Sequence, residues 1–76
     1  MYCFKSVVGM WTIRRLHDGW WGLWLDDEYY SRLPNPAALA DDVACFVTGC
    51  SKWDSLSSSG VYRPHDLSEW QHLRLR

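Results

Sequence analysis

The chain has 76 residues, 47% hydrophobic, 22% charged and 16% aromatic, with eight Lys plus Arg against nine Asp plus Glu and a formal net charge of −1. At this length folding removes only about 60% of the unfolded chain's surface from water, which allows one modest core and argues against a deep, multi-residue active site. The hydrophobic content excludes a disordered chain, and the balanced charge removes the strongest argument for a nucleic-acid or anionic-membrane partner.

The first residues, Met-Tyr-Cys-Phe-Lys-Ser, lack the basic start and apolar run of a signal peptide, and no apolar stretch approaches the ~20 residues of a membrane span. Tyr2–Val8 can form an edge strand ended by Gly9. The clearest local signal follows: Trp11–His17, then Asp18-Gly19, then Trp20–Leu25, the pattern of a β-hairpin. Asp-Gly suits a two-residue type I′ turn, because both central positions need positive φ. That turn pairs His17 with Trp20, Arg15 with Gly22, Ile13 with Trp24 and Trp11 with Asp26 on one face. The other face then carries Leu16 opposite Trp21, Arg14 opposite Leu23 and Thr12 opposite Leu25. Both faces are substantially apolar, which implies that something covers each of them.

Asp26-Asp27-Glu28 makes a polar turn into Tyr29–Leu33, a third strand that closes a meander. The period then changes. Asn35 is a good N-cap, Pro36 suits the first helical position, and Gly49 sits where a left-handed residue would stop a helix. Leu39, Val43, Phe46, Val47 and Cys50 recur at the spacing of one helical face, so a helix is expected over about residues 36–48. Ser57–Gly60 reads as a polar loop, with Trp53 and Leu56 folding back on sheet and helix. Asp66 with Glu69 three residues later resembles a capping box. It predicts a short terminal helix lined by Leu67, Trp70 and Leu73, with Arg74 and Arg76 near its end. The expected fold is therefore one α+β domain over residues 1–76. It comprises a three-stranded antiparallel meander, with room for an N-terminal edge strand, packed by one helix and followed by an aromatic tail. The string Asp41-Asp-Val…Thr48-Gly-Cys-Ser-Lys-Trp-Asp54…Pro64…Asp66-Leu-Ser-Glu-Trp70 is similar to that of small uncharacterised bacterial proteins, a resemblance that implies no activity.

Catalytic and metal-binding patterns are weak. Cys3, Cys45, Cys50, His17, His65 and His72 lack the close paired spacing of a zinc site, and no cofactor motif is present. An odd number of cysteines without a disulfide framework points to a reduced, cytoplasmic protein. The acidic runs Asp26–Glu28 and Asp41-Asp42 read as a solvated turn and the acidic half of a helix, and Ser57–Ser59 have nothing to hold a base beside them. The expected function is thus non-catalytic binding, of a protein or of a second copy, through Trp11, Ile13, Trp20 and Trp24 on an outer sheet face. Two outcomes are open for that face: a partner, or the tail around Trp53, Leu67 and Trp70 folded over it. The alternative function is nucleic-acid binding by Lys5, Arg14, Arg15 and Arg32 beside exposed Trp rings, although Arg14 and Arg15, being consecutive on a strand, point to opposite faces.

Overall fold

Strong period-two alternation across the first half of the chain produces four consecutive antiparallel strands, and a computed structural model describes residues 1–73. The strands are β1 (Tyr2–Ser6), β2 (Gly9–Arg15), β3 (Trp21–Leu25) and β4 (Glu28–Leu33). Two helices follow, α1 (Pro36–Ala44) and the single-turn α2 (Ser51–Asp54), then a 3-10 turn at Leu67–Glu69 and a two-residue strand, β5 (Gln71–His72). The five strands lie in the order β4-β3-β2-β1-β5. The sheet is thus wider than a three-stranded meander: the N-terminal segment pairs along the whole of β2, and the end of the described chain adds a strand beside β1. Beyond β5, Met1 and Leu73 exchange hydrogen bonds of 3.0 and 2.7 Å.

The hairpin register differs from the expected one by one residue. Arg15 pairs with Trp21, Ile13 with Leu23 and Trp11 with Leu25, while Arg14 pairs with Gly22 and Thr12 with Trp24. The cause is the turn. His17-Asp18-Gly19 forms a three-residue loop in which Leu16 N–H donates to the Trp20 carbonyl and Gly19 N–H to the Leu16 carbonyl. Gly19 alone takes a positive φ, of 86°, while the Asp18 carboxylate accepts the Trp20 N–H at 3.0 Å. This arrangement of turn and left-handed glycine is the usual three-residue alternative to type I′. Because side chains alternate with period two, the slip re-sorts every residue of β3. Trp11, Ile13, Leu23 and Leu25 now share one face and are at most 3% exposed.

That face is the core. Trp53 stands at its centre, stacked on Phe46 at 5.0 Å and meeting Phe4 and Trp11 edge-on, with its indole N–H donating to the Val43 carbonyl at 2.9 Å. Leu39, Ala40 and Val43 of α1 pack beside it, and Trp70 caps Phe4. Asn35 caps α1 by accepting Ala37 N–H, with Pro36 first in the helix, as the sequence implies. The helix, however, ends at Ala44, short of residue 48. Phe46 takes a left-handed φ of 58°, so that Phe46 N–H reaches the Val43 carbonyl and Val47 N–H the Asp42 carbonyl, a Schellman closure. The reversal turns the Phe46 ring onto Trp53. Gly49, with φ of 90°, instead serves the link into α2.

The terminal helix is replaced by the 3-10 turn. Asp66 caps it, and Glu69 reaches back to His65 N–H rather than to Asp66. Arg74 and Arg76 lie outside the described residues. No helix is long and apolar enough to cross a membrane among the described residues.

Candidate functional site

The helices and the aromatic tail pack on the same side of the sheet: Trp53 and Trp70 both contact Phe4, and α1 meets both β3 and the 3-10 turn. The tail does not cover the second face, and no described element packs over it. Trp11 and Ile13, expected on an exposed patch, are fully buried in the core instead. Trp20 and Trp24 do stand on the outer face. Arg14, Arg32 and Lys5 join them there, whereas Arg15 pairs with Trp21 and projects at the rim of the core side. Register accounts for all of these placements.

The outer face is organised around Gly22. Arg14 on β2 and Arg32 on β4 flank this glycine in register, and Trp20 and Trp24 lie two residues before and after it along the chain. The result is a cross, with a row of two cations intersecting a column of two indoles. A Cβ at Gly22 would lie 2.5 and 2.7 Å from Cζ3 and Cη2 of Trp24, so the indole lies directly on the bare glycine backbone. The Arg14 guanidinium sits 4.7 Å from the centroid of that indole, and its Nε donates to Thr12 Oγ1 at 3.2 Å. Arg32 lies 4.8 Å over Trp20 and also pairs with the Asp18 carboxylate. Tyr29 leans on Trp24 at 5.2 Å. Such guanidinium–indole contacts contribute about 0.5–1 kcal/mol each at exposed sites and hold the charges in fixed places. Trp20 remains 40% exposed and Tyr29 49%, so the rings keep area to offer a ligand.

Electrostatically the face is basic. Lys5, Arg14 and Arg32 project from it, and the carboxylate paired there is that of Asp18, held below its ordinary range by the Trp20 N–H first and by Arg32 second. The other acids gather elsewhere. Asp26 and Asp27 form the β3–β4 turn and Glu28 opens β4, all at the rim, and Asp41, Asp42, Asp54, Asp66 and Glu69 belong to the helical layer and its connections. A net charge near zero thus conceals a molecule with two differently charged sides. The acidic turn and Lys52 line a shallow concavity of about 440 Å³. Two of its acids already have structural partners: Asp26 accepts the Met10 N–H, and Glu28 accepts the Tyr30 hydroxyl. The Tyr30 phenol is pushed above its ordinary range by the Cys50 side chain and then by Glu28. No cluster of three metal-ligating side chains occurs among the described residues, and Cys3, Cys45 and Cys50 are unpaired.

Gly22 and Tyr29 escape sequence reasoning because their importance depends on the register. The available signal is His17 before Asp-Gly, which leaves room for a loop of three. No protein-family model, no curated protein and no solved structure matches this chain.

Proposed function

We propose that this chain is a small, non-catalytic binding module whose contact surface is the outer sheet face centred on Gly22. The observation that carries this reading is the pair of Arg–Trp contacts crossing on that glycine, on a face with no covering element among the described residues. Trp, Tyr and Arg are the residues in which interface energy concentrates, and here they are pre-positioned by the sheet and by one another, which lowers the entropy lost on binding. The unpaired thiols support a reducing, cytoplasmic setting. A second copy docked face to face would set one Arg14–Arg32 row against another, so charge favours a different molecule as partner.

The test is recovery of ligand from cell extract by the tagged full chain and by a variant carrying Trp20→Ser with Arg32→Ala, both sites being exposed. Whatever the wild type retains, protein or nucleic acid, should fall about tenfold or more with the variant, while the variant's circular dichroism stays native. Equal retention by the two proteins would show that the face is not the contact surface.

A further inference from the structure

We infer that the ligand of this face is single-stranded nucleic acid, bound with little sequence preference. Bases would stack on Trp20 and Tyr29, and phosphates would meet Arg14, Arg32 and Lys5. This rests on the binding-face reading above and names the ligand class for that site.

Three observations support it. The first is the layout. Arg14 and Arg32 are one strand to either side of Gly22, so their Cα atoms are about 10 Å apart, and Trp20 and Trp24 are spaced by roughly 13 Å along the chain. Each ring thus has a guanidinium beside it, 4.7 Å for Arg14 on Trp24 and 4.8 Å for Arg32 on Trp20, which matches a polymer whose every unit carries one phosphate and one planar base. The second is charge. Three cations project from the face, whereas the carboxylate among them, Asp18, is already paired with Arg32. An acidic peptide would satisfy those cations but would leave the exposed faces of Trp20 and Tyr29 without planar counterparts. The third is what the face lacks. The ring-and-cation set contains no Asn, Gln or Glu, Gln71 at the far side is turned toward Cys3 Sγ, 3.9 Å away, and Arg14 and Arg32, the side chains that could read a guanine edge, are held over Trp24 and Trp20. Stacking with phosphate contact is sequence-tolerant, because every base has a π face.

Asp18 has a definite part in this scheme. Its carboxylate occupies the guanidinium that a phosphate would use, so binding exchanges one anionic partner of Arg32 for another. Asp18→Asn should therefore tighten binding by a few-fold.

The experiment is a fluorescence-anisotropy titration of a labelled oligothymidylate of about 12 nucleotides with the full chain, from about 20 mM to about 200 mM salt. Three phosphate contacts predict a log–log salt slope of about −2, and Arg14→Ala with Arg32→Ala should flatten it by about 1.4. Trp20→Ala should weaken binding about tenfold or more. In the wild-type protein, the Trp20 indole N–H resonance should shift on binding while that of buried Trp53 stays still, a readout that needs no variant. No anisotropy change at the lowest salt overturns the inference. So does binding indifferent to Trp20 and to both arginines, because the ligand then sits elsewhere. A protein recovered from extract in a Trp20-dependent way, together with a failed oligonucleotide titration, would overturn the nucleic-acid inference while upholding the binding face. Retention independent of Trp20 and Arg32 would overturn the binding-face reading itself.

Discussion

Phe46 holds a left-handed backbone, a conformation that costs a residue with a Cβ about 1–2 kcal/mol. The ring recovers this by stacking on Trp53 and lying beneath the Arg63 guanidinium, whose Nε donates to the Ala44 carbonyl at 2.6 Å. Phe46→Gly would relieve the backbone and remove the stack, for a net loss of about 2 kcal/mol in urea denaturation, since truncating a buried Phe costs about 3–5 kcal/mol. Gly22 poses the opposite problem, a residue whose missing side chain is occupied by a neighbour. Gly22→Ala should displace the Trp24 indole and lower stability by about 1–3 kcal/mol, a drop in Tm of several degrees. The carboxylates divide by environment. Burial, with Asp41 and Asp54 adding, raises the Asp42 carboxyl above its ordinary value of 3.8. An acid with a raised folded-state pKa loses stability when it ionises, so Asp42→Asn should raise Tm at neutral pH and leave it unchanged at a pH well below 3.8. Asp18 and Asp66 behave in the reverse sense. Their pKa values are lowered, chiefly by the Trp20 N–H and by Ser68 respectively, so their contribution is present above 3.8 and fades as pH falls through their folded values. Asp18→Asn should therefore destabilise at neutral pH and be silent in strong acid, as thermal unfolding at the two pH values would show.

At the level of elements, the sequence was legible wherever one local rule governed the outcome. Asn35-Pro36 opens a helix because both groups act on their own turn of backbone, and the alternating runs become strands for the same reason. What was not legible depended on distant partners. Asp18-Gly19 permits loops of two or of three residues, and only the burial of Trp11 with Leu25 selects between them. Reading the loop as two residues placed Trp11 and Ile13 outside and scattered the arginines. The end of α1 was hidden similarly, because nothing near Phe46 signals that Trp53 needs its ring. Between these two aromatics the string Thr48-Gly-Cys-Ser-Lys-Trp-Asp54 proves to be a self-contained brace. The Asp54 carboxylate accepts from Thr48 N–H, Thr48 Oγ1 and Gly49 N–H at 2.8–3.0 Å, while Thr48 Oγ1 accepts Cys50 N–H. Asp54→Ala strands the two donors of buried Thr48 beside the core and leaves that of exposed Gly49 to water, and should cost about 1–3 kcal/mol in the same denaturation experiment. The outer face should retain its ligand in that variant, since the brace is on the opposite side of the sheet.

Over the whole molecule, the sheet separates two chemistries that composition averages away. Counted by segment, charge looks even. Sorted by face, the cations Lys5, Arg14 and Arg32 oppose a helical layer in which Asp41, Asp42, Asp54, Asp66 and Glu69 outnumber Lys52 and Arg63. Like charge on the open face should keep the free protein monomeric. Light scattering behind a sizing column, with reductant and at two concentrations, should give a mass independent of concentration; a dimer at low salt would contradict the electrostatic argument.

The distribution of indoles has a practical corollary. Trp11, Trp53 and Trp70 are sealed in the core and Trp21 is half-buried at its edge, while Trp20 and Trp24 each lie against a guanidinium on the open face. The chain thus holds two optical populations, an inner one that reports on folding and an outer one beside the cations that a ligand must engage. A polar quencher in solution would see the outer population first. An occupant of the face would draw Arg14 or Arg32 away from its ring and shield that ring at the same moment, so the protein is its own indicator dye.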